Sequence, residues 1–375
     1  MDSIPFLEPR LVGTRFDDHT IPLEFLKDFA ALEEMIAEVA KLEFLKDHPD
    51  RQRSPRGFTA GVSLKLAGVD DGSAKPLIVL AITAATLFPM DNQQLYYERA
   101  RDAVVGAIQA AEAQTSITEH IPERTLGYFD RMGRSLRDGE AMEFSTPDSD
   151  VPARLTRETR RALVLASSKL KEITEETLVR GTVPEADQDD MTFEIQLCTG
   201  KKVPAPISLE HFDTIIEAFN GYGDGVRVQL EGIGRLNRNG ALLRLDSIEE
   251  VTILEALDIP ARLEELHLLK AGWLEGEGES LSAEGLNWLS EAFGRRFSDE
   301  LPLPYLYPTA EGGVQAEWTL GQFEVSLEID LEEHAGRWHA LDVATNDESA
   351  RDLDLDADDD WEWIDGQIRD KGSNE

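Results

Sequence analysis

The groups in this chain that could do chemistry are its histidines, its runs of carboxylates, its glycine clusters and one thiol. None stands at a spacing that a known reaction requires. The seven histidines, His19, His48, His120, His211, His267, His334 and His339, are scattered. No H-E-x-x-H pair and no G-x-S-x-G elbow occurs. A triad can assemble from distant residues, but spacing selects none here. Asp352, Asp354, Asp356, Asp358 and Asp360 alternate like the start of a calcium loop, in which oxygens surround a hard cation. The sixth position should be glycine and is Ala357, and the twelfth should be a bidentate glutamate and is Trp363. A frame starting at Asp354 ends on Asp365 but puts Asp359 at the turn. The run therefore reads as solvated charge. Glu275-Gly276-Glu277-Gly278-Glu279 places three carboxylates on a flexible loop. Acid–base work needs one of them kept protonated by burial, whereas an exposed loop leaves all ionised. Gly221, Gly223 and Gly225 precede a strand rather than a helix, the wrong order for cradling a phosphate, and with Gly232 and Gly234 they read as turns or barrel bends. Cys198 is the only cysteine, so there is no disulfide framework and no thiolate cage; in an alternating strand it reads as a small buried hydrophobe. No cofactor and no metal is expected.

Charge is the strongest signal. Seventy-four acids face 37 bases, a net −37. Residues 251–375 hold 31 acids and 8 bases, and residues 51–250 hold 31 and 24, so the last third carries most of the excess. Such a surface repels a phosphate backbone and attracts a basic protein, or imitates nucleic acid itself; solubility alone also accounts for it. Two basic groups stand against this background. One is Arg51, Arg53 and Arg56. The other is Arg154, Arg157, Arg160 and Arg161, a candidate site for phosphate or acidic groups, with three guanidiniums on one side if the segment is helical. Pairing with the chain's own acids is the plainer reading. The longest apolar run, Pro76 to Pro89, is too short to span a bilayer. Met1-Asp2-Ser3-Ile4-Pro5 lacks the form of a signal peptide. A cytoplasmic protein without a membrane partner is expected.

The elements that would position these groups follow from periodicity. A chain of 375 residues has room for two or three cores. The expected class is α+β and multidomain: an N-terminal mixed α+β domain over 1–174, a central OB-like small β-barrel over 175–258, a C-terminal α+β domain rich in tryptophan over 259–345, and an acidic tail over 346–375. Phe25, Phe29, Leu32, Ile36 and Val39 share a face and predict a helix over 21–46, capped by Thr20. Two strands around Val62–Leu66 and Leu77–Ala81 are joined by a turn at Asp70-Asp71-Gly72-Ser73. Helices from about Asn92 to Ala111 and Pro122 to Leu136 follow, then a strand over 139–144. Leu178–Val183, Thr192–Leu197 and Lys202–Ile207 read as strands, Ser208–Phe219 as a capped helix, and residues from Val226 onward as further strands turning at Asn237–Gly240. Three strands, a helix and more strands is the order of an OB-type barrel. Residues 176–258 hold 16 acids and seven bases, and no aromatic points outward from the fourth strand, which argues against nucleic acid there. Asp258-Ile259-Pro260 marks a boundary. Helices over 262–270 and, capped by Ser282, to about Phe297 come next, then strands over 314–318 and 324–329. All six tryptophans lie from Trp273 onward, and Trp361 and Trp363 imply that the tail docks on something.

Pro304-Tyr305-Leu306-Tyr307-Pro308-Thr309-Ala310-Glu311-Gly312-Gly313-Val314-Gln315-Ala316-Glu317-Trp318 resembles a signature of uncharacterised bacterial proteins, and Ala271-Gly272-Trp273 with the loop after it is similar to the same group. The likeness covers about residues 260–345. It implies a bacterial source and no assigned activity; by analogy such genes belong to toxin–antitoxin or defence operons. As plain structure, Pro304 and Pro308 hold an extended segment and Glu311-Gly312-Gly313 turns between strands.

The reading the sequence favours is a non-enzymatic protein that binds or neutralises a more basic protein. Its candidate contacts are Trp361, Trp363, Asp354, Asp356 and Asp358. Two alternatives are a nucleic-acid-linked protein using the barrel and the arginine stripe, with the acidic tail as an internal mimic, and an enzyme whose site assembles from distant residues. Opposite charge speeds encounter while aromatic anchors slow release. Complex formation is therefore expected to weaken steeply with salt through the association rate, and deletion of Asn346–Glu375 to slow it. Stopped-flow association across a salt series measures this, and a salt-independent rate refutes it.

Overall fold

The computed structural model describes residues 2–17, 20–70, 74–83, 93–146, 149–168 and 170–372. Met1, His19, the Asp71-Gly72-Ser73 part of the first turn, Asn92 at the start of the second helix and the far end of the Pro76–Pro89 run lie outside them. Helix (33 %) and strand (34 %) are nearly equal, so the class is mixed α+β. The chain divides into two compact units. One comprises Met1–Thr177 with Gly232–Ser247, the other Leu178–Glu231 with Ile248–Glu375. Among the described residues no helix is long and apolar enough to cross a membrane.

In the first unit, strands β1 (Asp2–Leu7), β2 (Arg10–Val12), β3 (Val62–Asp70), β4 (Lys75–Ile82), β5 (Ala141–Thr146) and β6 (Ser149–Leu155) make two antiparallel three-stranded sheets, ordered β1-β4-β3 and β2-β5-β6. Helix α1 (Phe25–Asp47) packs on α2 (Gln93–Glu112). The spacing that predicts α1 is the spacing that buries Phe25, Leu32, Ile36 and Val39. Its start falls after Pro22, not at Thr20. Ala100, Ala107 and Ala111 face inward from α2, and their small size brings the helices close.

The expected helix over Pro122–Leu136 is a 3-10 helix at Glu123–Asp130 followed by turns. Buried charged side chains take its backbone groups. Asp28 Oδ1 accepts from Gly133 N (2.5 Å) and Arg134 N (3.0 Å), and Gly133 sits at φ +78°, where glycine alone is unstrained. Burial pushes the Asp28 carboxyl above its ordinary range, against the pull of these hydrogen bonds. Helix α3 (Arg157–Leu165) is capped by Thr156, which accepts from Thr159 N at 3.2 Å.

The middle of the chain forms a curled half-barrel. Its strands are β7 (Glu172–Asp187), β8 (Thr192–Leu197), β9 (Lys202–Pro206), β10 (Val228–Asn237) and β11 (Leu242–Ile253), in the order β11-β10-β7-β8-β9. Helix α4 (Phe212–Asn220) lies between β9 and β10 in sequence. The alternation over 192–197 gives β8 to the residue. The strand expected after the Asn237–Gly240 turn is one continuous β11.

In the second unit, Asp258 is a helix cap: it accepts from Ala261 N at 2.8 Å and starts α5 (Ile259–His267), with Pro260 in the first turn. Ser282 caps α6 (Ala283–Arg296) as expected. Five antiparallel strands follow in sequence order: β12 (Tyr305–Pro308), β13 (Val314–Leu320), β14 (Phe323–Asp330), β15 (Ala335–Asp342) and β16 (Asp347–Asp354). Helix α7 (Asp358–Gly372) closes the unit. Within the stretch 346–375 that composition assigns to an acidic tail, Asp347–Asp354 is an edge strand and Asp358–Gly372 a helix. Trp361, Ile364 and Ile368 of α7 are buried in one apolar cluster with Leu289 and Phe293 of α6 and Trp318, Leu327 and Trp338 of the sheet.

This corrects the use of a tail deletion as a test of association. Removing 346–375 strips Trp361 from the core and is expected to abolish the cooperative unfolding of this layer. Trp361→Ala in the full chain should cost about 3–5 kcal/mol by the cavity it leaves. Urea denaturation followed by tryptophan fluorescence measures both.

Candidate functional site

The arginine stripe does not exist as a surface. Arg154 lies on β6 and not on the helix, 3.3 Å from Glu143. Arg157 pairs with Asp138 (2.9 Å) and Glu175 (2.7 Å). Arg161 Nη2 donates to the Arg238 carbonyl at 2.8 Å. Arg160 is 1 % exposed, which removes it from any phosphate or acidic ligand. It donates to the carbonyls of Phe129 (2.8 Å), Asp130 (2.6 Å) and Thr174 (2.6 Å). Desolvation lowers it to about 10, so it stays cationic at neutral pH. The segment is amphipathic, and its inward face claims the arginine that the structure needs for backbone groups.

The C-terminal candidates are corrected in the same way. Trp361 is 1 % exposed, its Nε1 donating to the Leu355 carbonyl at 2.8 Å, so it anchors the fold and not a partner. Trp363 is half-buried, edge-on to Trp338 at 5.5 Å and covered by the Arg351 guanidinium at 4.5 Å. Asp354 accepts from the backbone N–H of Asp356 at 3.0 Å. Asp356 accepts from Trp288 Nε1 at 3.1 Å and lies 3.0 Å from His334 Nδ1, whose ring stacks on Trp288 at 3.8 Å. The hydrogen bond from His334 holds Asp356 below the ordinary carboxylate range. Asp358 meets Arg296 at 2.7 Å. The alternating aspartates point in different directions, and among the described residues no group of three or more His, Cys, Asp or Glu could hold a metal ion. Cys198 is exposed, a correction to its reading as buried, because β8 ends at Leu197. Partial burial, then Glu264, raises its thiol above the ordinary range, so it is no ready thiolate.

What the structure does bring together is the outer face of the C-terminal sheet. The inner face of β12–β16 is covered by α5–α7, and period two turns the alternate residues outward. In register, Tyr305 of β12 opposes Glu317 of β13, which opposes Ser326 of β14, which opposes His339 of β15. The next row is Tyr307, Gln315, Glu328, Arg337 and Asp352, and a third joins Thr319, Glu324, Leu341 and Glu348. Five carboxylates thus share the face with Arg337 and His339, the latter 3.7 Å from Glu348. Tyr305 and Tyr307 are 56 % and 44 % exposed, large aromatic surface left in water.

Two concavities mark this face. One, of about 510 Å³, is lined by Tyr305, Tyr307, Gln315, Glu317, Glu324 and His339 among others. The other, of about 680 Å³, lies at the end of the sheet between Glu279, Glu311, Glu328, Asp330 and Asp352. The backbone N–H groups of Glu333 and Glu332 keep Asp330 below the usual carboxylate range, hence ionised at neutral pH. The stretch Pro304–Trp318 supplies the tyrosines and the turn between the concavities. Gly312 adopts φ +84°, and a side chain on Gly313 would sit 2.5 Å from the Ile329 carbonyl oxygen. Sequence reasoning explained this stretch as structure and missed its outward residues. The available signal was the polar alternation Gln315-x-Glu317-x-Thr319 and Glu324-x-Ser326-x-Glu328, read as a surface once β15 and β16 are in place.

No protein-family model matches this sequence, and no curated protein or solved structure matches it.

The arginine geometry makes a contrast that denaturation can read. Arg160→Ala removes the buried donor to the Phe129 and Thr174 carbonyls and the cation beside Asp130, and should cost roughly 3–5 kcal/mol. Arg154→Ala, at a far more exposed position, should stay within about 0.5 kcal/mol. Equal effects of the two would refute this placement.

Proposed function

We propose that this chain is a non-enzymatic acidic interaction protein that engages a more basic protein through the outer face of its C-terminal sheet. The observation that carries the reading is that face itself: five carboxylates against one arginine and one histidine, with two exposed tyrosines at one side. Carboxylates steer a basic partner to the surface, and aromatic area there slows its release. The chain's net −37 extends the attraction beyond contact, within the limit that salt screening sets.

The finer architecture we propose for the middle of the chain is an OB-like barrel. The order β11-β10-β7-β8-β9, with α4 between β9 and β10, supports it. A protein partner fits better than nucleic acid, since Arg154, Arg157, Arg160 and Arg161 are paired or buried and, of the two basic groups, only Arg51, Arg53 and Arg56 stand exposed as a group against an acidic chain. The likeness of Pro304–Trp318 to uncharacterised bacterial proteins supports a bacterial setting, such as a toxin–antitoxin or defence operon.

The test is purification of the tagged chain from its source organism, at low and at high salt, beside the variant Glu317→Lys, Glu324→Lys, Glu328→Lys. A basic protein that accompanies the wild type in stoichiometric amount, leaves in high salt and is absent from the variant is the expected outcome. The same proteins on both baits would refute the surface.

A further inference from the structure

We propose that the tyrosine end of this face reads arginine: Tyr305 and Tyr307 carry the plane of a guanidinium from the basic partner, and Glu317 accepts its N–H groups. This rests on the basic-partner reading and adds the chemistry of the anchor.

The placement follows from register. Glu317 is directly opposite Tyr305, at a cross-strand separation of about 5 Å between Cβ atoms, and diagonal to Tyr307, which opposes Gln315. The carboxylate is therefore flanked by both rings on one face of the sheet. It is also oriented, because Gln315 Nε2 donates to its Oε1 at 2.5 Å. That bond leaves Oε2 and the remaining lone pair of Oε1 for a ligand. The space above them is the concavity of about 510 Å³, with Glu324 in its lining to receive a second cation.

Arginine and lysine are not equivalent in such a place. A guanidinium is flat, so it can lie on a tyrosine ring and at the same time present its edge N–H groups to a carboxylate. An ammonium is a compact, strongly hydrated point charge that gains from the carboxylate but forfeits the stacking. Other occupants fit less well. A phosphate-bearing ligand meets five carboxylates, and a second copy of this face would set like charges opposite each other. Addition of a strand to the β12 edge is disfavoured because Pro304 precedes this four-residue strand and Pro308 is its last residue.

The experiment titrates the full chain into fluorescently labelled hexa-arginine and hexa-lysine at physiological salt, read by anisotropy. Hexa-arginine should bind about tenfold tighter than hexa-lysine. Tyr305→Ala with Tyr307→Ala should bring hexa-arginine down to the hexa-lysine value and leave hexa-lysine unchanged. Tyr305→Phe with Tyr307→Phe should keep the preference, since the ring and not the hydroxyl carries it. Glu317→Gln should weaken both peptides, arginine more. Both tyrosines are exposed, so thermal unfolding of the variants should match the parent. Equal binding of the two peptides, or a preference that survives the alanine pair, overturns the arginine inference while leaving the basic-partner reading in place. Binding that is indifferent to Glu317→Gln and to the triple lysine variant overturns both.

Discussion

Everything proposed for this protein depends on the burial of one face of the C-terminal sheet. Trp318 and Trp338 stand on that face with ring centres 6.1 Å apart, Phe297 stacks over Trp318 at 6.3 Å, and Phe293 meets Trp361 edge-on at 5.1 Å. Aromatic pairs of this kind add to the apolar area they remove from water. Two indole N–H groups are satisfied within the layer, Trp318 by the Pro302 carbonyl at 2.9 Å and Trp361 by that of Leu355. Trp338 Nε1 is buried with no partner, a penalty of roughly 1–3 kcal/mol that the surrounding packing must exceed. With helices on this side, the pleat leaves the other side no choice but to face outward.

That constraint also explains where the charge went. The acids of residues 251–375 look like a tail in composition, yet many are the outward half of amphipathic strands and of α7. Arg351 meets Asp360 at 2.7 Å and Arg296 meets Asp358 at 2.7 Å, so part of the excess is tied to the few bases nearby. Five of the others stand on the sheet face, where carboxylates on neighbouring strands repel one another unless a cation joins them. Clustered like charge disfavours the folded state slightly and favours a basic partner by the same amount of physics.

The basic residues show the opposite economy. Arg160 in the first unit is spent on the carbonyls of Phe129, Asp130 and Thr174, and Arg157 and Arg161 are held by Glu175, Asp138 and the Arg238 carbonyl. A buried guanidinium of this kind stabilises only where acceptors replace the water it loses, as the three carbonyls do for its Nε and Nη2. These arginines therefore serve internal order, while the outer face of the C-terminal sheet turns its anions outward.

The sequence alone determined the local elements wherever periodicity and caps agree. The four-and-three spacing of Phe25 to Val39 makes α1, the alternation over Thr192–Leu197 makes β8, and Ser282 starts α6, because these signals act within a few residues. The mixed α+β class and the acidic sign of the surface were legible for the same reason. Only tertiary structure decided what the longer patterns meant. Asp28 and Arg160 turned an expected helix into a 3-10 helix and turns by taking its backbone groups from a distance. Trp361 became core because α7 packs beside α6 and against the sheet, and exposure cannot be read from an aromatic's identity. The outer face exists because five consecutive strands come into register, and a row such as Tyr305, Glu317, Ser326 and His339 has no signature along the chain. Cross-strand neighbours are set by hydrogen-bond register between strands, a relation that no local spacing encodes.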